Sequence, residues 1–494
     1  MVGQRRGAPP PGPRRITRSQ SRVDRISALP DELLLQVLTR LRCARTAART
    51  SILARRWRGV WTGLPEVSFR GLAPDAIHAA LARVTRTSLE AIDIHVSRGT
   101  GRRALDAATI TFLLHHAVAD RSPLKLTLTI PVDLPRYDAN KWIELPRFDH
   151  ATSIELDVQN IRFALSPATE FPKLETLSLS GCIMDLAVLV PRCPRLRVLS
   201  VTTSPHKVDT ITVHSESLQV LAVSTCRSTS TIDIVAPALR KLTLALGSTG
   251  IDNSLSVVAP MVEEVTWQCL YYSMVAIGTM WRVGSLKVWA VEKMELTDDE
   301  EGSHQPRRAH VLSLGILSTP YPSQRDFAED LKKIPVTNFS VLKLKISTRG
   351  HVLGPLLLNL LRICTAVQRL DMVLVATPEV QVTQSWWSCK ELCPCQENNR
   401  EWRTKTTISA INLTEVNIKG LKGNEEEIHF LKLLCRCAPM LQTMTLKLSK
   451  NVTDDWYNIF LDTVQEHPSV NSNVFSDNGT RFQPLPSRNG TQLK

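Results

Sequence analysis

Leu174-Glu-Thr-Leu-Ser-Leu179 is the first of six clear copies of the pattern Leu-x-x-Leu-x-Leu in this 494-residue chain. The other five are Leu196/Leu199/Val201, Leu218/Leu221/Val223, Leu239/Leu242/Leu244, Val262/Val265/Trp267 and Leu286/Trp289/Val291. Their first positions lie 22, 22, 21, 23 and 24 residues apart. Apolar residues at fixed offsets and a near-constant period predict a solenoid, because each unit buries its apolar side only by stacking on the next.

The period also identifies the type of unit. A repeat of about 20–29 residues with this motif resembles the leucine-rich repeat, in which each unit supplies one short strand to a curved sheet. Weaker copies extend the array at Phe339/Leu342/Leu344, Val367/Leu370/Met372, Leu413/Val416/Ile418 and Leu441/Met444/Leu446. Units spaced by 22 residues leave room only for a short helix or an irregular return. The predicted fold class is therefore α/β, a solenoid with a curved parallel sheet.

A second informative segment lies near the N-terminus. Leu29-Pro-Asp-Glu-Leu-Leu-Leu-Gln-Val-Leu38 predicts an amphipathic helix, since proline suits a helix start and acidic residues suit the first turn. Ala48-Arg-Thr-Ser-Ile-Leu-Ala-Arg-Arg-Trp57 predicts a second helical stretch that mixes apolar residues with arginines. So short a unit cannot bury all this apolar surface on itself. We therefore expect a partner to cover part of it.

Together the two stretches resemble the F-box, and in particular its plant variety. The match runs through Leu-Pro-x-x-Leu-Leu-x-x-Val-Leu-x-x-Leu and Arg-Thr-Ser-x-Leu-x-x-Arg-Trp-Arg-x-x-Trp-x-x-Leu-Pro, over roughly 45 residues. The resemblance implies a small helical hairpin that docks on the SKP-type adaptor of a cullin-RING ubiquitin ligase. The adaptor-binding residues that it implies are Leu29, Pro30, Leu33, Leu34, Val37, Leu38, Leu41, Ile52, Leu53, Trp57 and Trp61.

A third resemblance lies towards the C-terminus. Leu413-Thr-Glu-Val-Asn-Ile418, the acidic run Glu425-Glu-Glu427 and Cys437-Ala-Pro-Met-Leu441 are similar to the FBD module of plant F-box proteins. This module implies one more long repeat and no chemistry of its own.

Composition and motifs divide the chain into six predicted segments. They are a disordered basic tail at 1–22, the F-box at 23–69, the repeat solenoid at 70–407 with insertions near 295–308 and 384–407, the FBD-like repeat at 408–449, a C-terminal helix or cap at 450–470, and a disordered tail at 471–494. Few apolar residues and many Pro, Gly, Ser or Asn predict disorder at both ends.

The net charge of +13 is concentrated at the N-terminus. Residues 1–58 contain 14 Arg, no Lys and 3 acidic residues, so the rest of the chain is nearly neutral. This distribution disfavours a nucleic-acid-binding body, although the N-terminal arm leaves a basic nucleic-acid binder as a third hypothesis. No apolar run approaches the roughly 18 residues of a membrane span, and the N-terminus has no apolar core of a secretory signal. We expect a location in the nucleus, the cytoplasm or both, and no membrane partner.

The sequence contains no strong metal-binding, phosphate-binding or catalytic motif. Cys389, Cys393 and Cys395, with Cys435 and Cys437, lack the paired spacing of structural zinc sites, so no metal is predicted. Neither a phosphate-binding glycine loop nor a nucleophile elbow occurs. We therefore predict no cofactor, no catalytic residue and no enzyme activity of the chain itself.

The outward positions of the repeat strands predict a target-binding surface on the concave face. The candidates are Thr176, Ser178, Ser200, Thr202, Ala222, Ser224, Thr243, Thr266 and Gln268. Small and mostly uncharged residues suit a protein or peptide partner better than a nucleic acid. The sequence thus favours a substrate-recognition subunit of an SCF-type ubiquitin ligase, joined through the adaptor to cullin and RING subunits. The alternative is a leucine-rich-repeat scaffold outside any ligase.

Overall fold

The computed structural model of the chain describes residues 26, 29–41, 43–96, 107–118, 121–130, 142–158, 161–203, 210–225, 229, 231–246, 254–270, 275–277, 281–293, 307–318, 325–332, 334, 336, 338–349, 351–375, 395, 410–450 and 452–480. The predicted tail 1–22 lies outside these residues, as do the predicted insertions except for Cys395, Arg307 and Arg308.

The helices among these residues are α1 (Asp31–Thr39), α2 (Ala44–Arg49), α3 (Pro74–Arg83), α4 (Ala107–Val118), α5 (Leu186–Leu189), α6 (Phe327–Leu331), α7 (Gly354–Ile363), α8 (Glu425–Cys437) and α9 (Asp454–Gln465). The strands are β1 (Glu66–Arg70), β2 (Ala91–His95), β3 (Lys125–Ile130), β4 (Trp142–Leu145), β5 (Ser153–Val158), β6 (Arg162–Leu165), β7 (Thr176–Ser180), β8 (Val198–Thr202), β9 (Thr210–His214), β10 (Val220–Thr225), β11 (Thr231–Val235), β12 (Lys241–Leu246), β13 (Ser254–Val258), β14 (Glu264–Leu270), β15 (Val275–Ile277), β16 (Trp281–Lys293), β17 (Arg307–Ser318), β18 (Arg325–Asp326), β19 (Val341–Ser347), β20 (Arg369–Leu374), β21 (Glu415–Leu421), β22 (Thr443–Leu448) and β23 (Asn471–Phe475). None of the described helices is long and apolar enough to cross a membrane.

One main sheet runs through the described part of the chain. Strands β1, β2, β3, β5, β7, β8, β10, β12 and β14 pair in that order, each parallel to the next. Beyond β16, the strands β17, β19, β20, β21, β22 and β23 form a second parallel series. Parallel neighbours that follow chain order are the architecture of a repeat solenoid, since every unit crosses back to the same end of the sheet. The predicted fold class is confirmed.

The hydrophobic core lies on one side of this sheet. A strand points successive side chains to opposite faces, and the repeats follow that rule. In β7, Leu177 and Leu179 are each 2% exposed, whereas Thr176, Ser178 and Ser180 are partly exposed. The same alternation in neighbouring strands stacks the apolar residues into one continuous cluster.

The sixth clear repeat departs from its prediction. The motif assigns Leu286, Trp289 and Val291 to the interior, as in a parallel unit, but β16 runs antiparallel to both β14 and β17. Leu286 and Val288 are fully buried, and Trp289 lies on the opposite face and is partly exposed. Strand alternation explains the difference, because Leu286 and Val288 are two residues apart and share a face. The unit is one strand of a long hairpin.

The returns of the central repeats also differ from the prediction. Instead of short helices or irregular segments, β9, β11 and β13 form a second, three-stranded parallel sheet behind the core. Their sequences, such as Thr210-Ile-Thr-Val-His214 and Thr231-Ile-Asp-Ile-Val235, alternate polar and β-branched residues. That pattern favours a strand with one buried side, and Ile232 and Ile234 are 1% and 0% exposed.

The boundaries of the end segments shift as well. The predicted second helix of the F-box is split into α2 and three 3-10 turns, Thr50–Ile52, Arg55–Trp57 and Val60–Gly63, because Ala54 is extended and Gly59 has φ +86°. Strand β1, inside the predicted F-box segment, is the first strand of the main sheet. Strand β23 pairs with β22 where the sequence predicts a disordered tail from residue 471. Its single buried residue, Val474, gives too weak a pattern for the sequence to show it.

Candidate functional site

The N-terminal helical unit has an apolar surface that the described remainder of the chain does not cover. Leu33 and Val37 lie one turn apart on α1 with 42% and 41% of their surfaces exposed, and Leu41 follows at 39%. Ile52 and Leu53, at the end of the first 3-10 turn, are 87% and 68% exposed. Several apolar side chains of this exposure within one short unit make it a candidate interaction site. These five residues are called the apolar patch below.

Four residues predicted to contact an adaptor are instead interior. They are Leu34, Leu38, Trp57 and Trp61, at 0%, 1%, 4% and 6% exposure. They join the main hydrophobic core, and α1 packs against the third 3-10 turn. Side chains this buried offer a partner little surface and pack within the chain's own core, where they support α1. Direct contact with an adaptor stays a prediction for these four. Of the other predicted residues, Leu29 is partly buried and Pro30 is exposed.

Local contacts fix the turns relative to α1. The Arg56 guanidinium donates to the Asp31 carboxylate, with Nη2 3.0 Å from Oδ1. Both groups are exposed, so the pair contributes little to stability, but it joins the second turn to the first residue of α1. Thr50 Oγ1 donates to the Ala47 carbonyl oxygen at 2.6 Å, which continues α2 into the first turn. The apolar patch is therefore presented by one connected unit.

The face of the main sheet opposite the core forms the second candidate surface and is called the open face. All nine predicted target-binding residues lie on it, in register across adjacent strands. Thr176 and Ser178 lie on β7, Ser200 and Thr202 on β8, Ala222 and Ser224 on β10, Thr243 on β12, and Thr266 and Gln268 on β14. Each is partly or fully exposed. The structure brings them together as one strip, and their binding role stays a prediction.

Charge is unevenly distributed along the open face. Near its N-terminal end, β5 carries Glu155 and Asp157, and Asp93 on β2 accepts from Arg70 at 3.1 Å. The central strands carry the small uncharged residues described above. Beyond them, lysines predominate: Lys287 on β16, Lys343 and Lys345 on β19, Lys419 on β21 and Lys447 on β22. These five residues are called the lysine patch.

Sequence reasoning missed the lysine patch because it read the face only from the six clear repeats. The signal was present in the weaker copies, where a lysine flanks each of the last two apolar positions of Phe339/Leu342/Leu344. Lys419 and Lys447 likewise follow the last apolar residues, Ile418 and Leu446, of their copies.

The cysteines form no recognisable site within the described residues. Cys395 Sγ lies 3.5 Å from His351 Nδ1 and accepts from the Val352 amide at 3.4 Å. Cys389 and Cys393 lie outside the described residues, and the searched residues contain no group of three or more potential ligands that could hold a metal. Burial raises the pKa of Cys182 and Cys193 to about 12, as expected of structural thiols.

Comparisons with known proteins point to one plant family. The family described as "FBD-associated F-box protein At5g56370, LRR repeats" matches residues 132–279. F-box/LRR-repeat protein 25 of Arabidopsis thaliana is 30% identical over 184 residues, which is 36% of this chain and 67% of that protein. The putative F-box protein At1g67390 of the same plant is 23% identical over 261 residues, 49% of this chain and 54% of the relative. The putative F-box/FBD/LRR-repeat protein At3g49030, also from Arabidopsis, is 28% identical over 264 residues, 50% of this chain and 58% of the relative.

The fold is a leucine-rich-repeat solenoid preceded by a small helical unit. The chain belongs to the plant F-box/LRR-repeat proteins. The aligned stretch spans about half the length of the first two curated relatives it matches.

Proposed function

We propose that this chain is a substrate-recognition subunit of an SCF-type ubiquitin ligase. Its F-box binds an SKP-type adaptor, and its open face binds a target protein. The chain supplies proximity: it holds the target near the ubiquitin-loaded enzyme carried by the RING subunit and contributes no acid, base or nucleophile of its own.

The observation that carries the proposal is the apolar patch. Leu33 and Val37 occupy the same face of α1 because they are four residues apart, and about two fifths of each side chain remains uncovered. Leu34 and Leu38, on the next face of the same helix, are buried in the protein's own core. One helix thus divides its leucines and valine between an inner and an outer side, which is the arrangement of a docking element whose partner is a separate chain.

The outer residues give the first prediction. The double variant Leu33→Asp/Val37→Asp should bind a purified SKP-type adaptor about 100-fold more weakly, because burying each side chain is worth about 1.5–3 kcal/mol. Isothermal calorimetry with the full chain measures this, and its thermal unfolding should be nearly unchanged.

A matched control separates docking from general surface effects. Val188, on α5, has the same 41% exposure as Val37 but lies outside the F-box, so Val188→Asp should leave adaptor binding intact. Unaltered affinity of the Leu33/Val37 variant, or absence of adaptor binding by the wild-type chain, would overturn the proposal and leave a scaffold outside any ligase.

A further inference from the structure

The lysine patch places like charges opposite one another on adjacent strands. In the register of the sheet, Lys345 aligns with Val373, Val373 with Lys419, and Lys419 with Lys447. Lys419 and Lys447 are therefore directly opposite one another on adjacent strands, where like charges are unfavourable. No acidic residue lies in this row from β19 to β22, and no described carboxylate pairs with any of its three lysines.

The acidic residues of the neighbouring rows are already engaged. Arg369 donates from Nε to Asp371 at 3.0 Å and lies 3.4 Å from Glu415 through Nη1. Asn417 Nδ2 donates to Asp371 and to Glu415, each at 2.9 Å. The described carboxylates of the neighbouring rows are thus held by Arg369 and Asn417 and do not balance the charge of Lys345, Lys419 and Lys447.

We propose that the lysine patch is a binding site for an acidic, extended segment of the target protein. The inference rests on the proposed function, since it names the chemical class of the target. Strands lie about 4.8 Å apart, so Lys345 and Lys419 are separated by about 10 Å and Lys447 adds about 5 Å. An extended segment that crosses the strands advances about 3.3 Å per residue. Its acidic residues would face Lys345 and Lys419 if they are about three residues apart, and Lys419 and Lys447 if they are about one to two residues apart.

The neighbours of the lysines favour a peptide over a nucleic acid. Val373 is 42% exposed within the row, and Phe475 on β23 continues it beyond Lys447. These apolar residues match the side chains between the acids of a peptide.

The N-terminal half of the open face disfavours an acidic segment. Glu155 and Asp157 repel an acidic segment there, and the central strip carries no net charge to attract it. The charge of the face therefore favours an acidic segment at the strands β16 to β22 over β2 to β5, where Lys125 on β3 lies on the same face as Glu155 and Asp157.

The test uses the full chain and a fluorescein-labelled ten-residue peptide with four glutamates separated by valine and serine. Two matched peptides replace the glutamates by glutamine or by phosphoserine, and a twelve-nucleotide single-stranded DNA represents the other class of polyanion. Fluorescence anisotropy at low salt should show that the glutamate or the phosphoserine peptide binds at least about tenfold more tightly than the glutamine peptide. Which of the two is tighter tells carboxylate recognition from phosphate recognition. Binding should weaken as salt rises, because exposed charges are screened.

Charge reversal locates the site. The variant Lys345→Glu/Lys419→Glu/Lys447→Glu should lose about tenfold in affinity for the acidic peptide. The control Lys125→Glu/Lys173→Glu/Arg195→Glu removes the same charge at exposed positions elsewhere and should bind normally. Equal binding of the glutamate, phosphoserine and glutamine peptides, equal loss in both variants, or tighter patch-dependent binding of the DNA would overturn the inference.

Adaptor binding of the same variants keeps the two proposals separate. The lysine variant should retain full adaptor affinity, because its substitutions lie outside the F-box. Loss of acidic-peptide binding with intact adaptor binding supports both proposals. Peptide binding by a chain that never binds the adaptor would support the acidic-segment site and overturn the ligase role.

Discussion

At the scale of single residues, the start of α8 shows how a buried charge is retained. Asn424 Oδ1 accepts from the Glu427 amide at 2.9 Å, and the Glu427 carboxylate accepts from the amides of Lys422 and Gly423 at 2.9 to 3.1 Å. The Asn424 side chain thus caps a first-turn amide of the helix, and the Glu427 side chain fixes the two residues that precede the cap. Burial raises the pKa of Glu427, although the backbone hydrogen bonds oppose that shift.

Removing the Glu427 carboxylate should therefore destabilise the chain. Glu427→Ala leaves two amides without their acceptor, and we expect a loss of about 2 kcal/mol in the free energy of unfolding. The pKa of Glu427 is raised in the folded state, so the folded chain takes up this proton at a higher pH than the unfolded chain does. Glu427 therefore contributes more to the free energy of unfolding as pH falls, and the stability deficit of the variant should increase in the same direction.

Urea denaturation at two pH values measures the effect. Glu425, in the same first turn but exposed, provides the control, and Glu425→Ala should lower stability by less than about 0.5 kcal/mol. A deficit that shrinks as pH falls would contradict the assignment of the raised pKa.

At the scale of elements, the sequence predicted strands well and their directions less well. The spacing of apolar residues located β7, β8, β10, β12 and β14, because these units share one period and one alternation. It could not show that β16 reverses direction, since a hairpin strand and a parallel strand bury the same period-two pattern. The sequence did not predict the return strands β9, β11 and β13, because each has only a short alternation of apolar and polar residues. The apolar pattern located α1 but could not tell Leu33, which is exposed, from Leu34, which packs inwards.

Two valines can test which face of β16 is buried. Val288 is fully buried between Trp267 and Leu312, whereas Val311 on β17 is partly exposed on the opposite face. Val288→Ala should lower the free energy of unfolding by about 1–2 kcal/mol through lost burial and the cavity that remains. Val311→Ala, the same substitution one strand away, should cost less than about 0.5 kcal/mol. Denaturant unfolding of the two variants compares them, and the reverse order would contradict the burial of Val288 on the core side of β16.

At the scale of the whole molecule, one continuous core joins the F-box to the last repeat. The described buried apolar residues from Leu34 on α1 to Val474 on β23 belong to a single cluster, apart from Val352, Leu433 and Cys437, which form a small second one. In a solenoid each unit is stabilised chiefly by its neighbours, so the stability of an end unit depends on the strand that covers it. The sequence predicted this stacking from the repeats, but it placed the end of the ordered chain one strand too early because Asn471 to Asn473 offer no apolar signal.

The last strand should therefore be necessary for the stability of the C-terminal unit. Strand β23 covers the edge of β22 and packs against α9, and Val474 is 1% exposed. A chain ending at residue 470 uncovers the backbone of β22 and exposes the apolar side of α9. The lost burial is worth about 1.5–3 kcal/mol. The thermal unfolding of this shorter chain should therefore begin several degrees below that of the full chain. Amide hydrogen exchange should lose protection first in β22. A chain ending at residue 480 retains β23 and serves as the control, with the melting behaviour of the full chain. Identical melting of the two truncated chains would show that β23 contributes nothing to the fold.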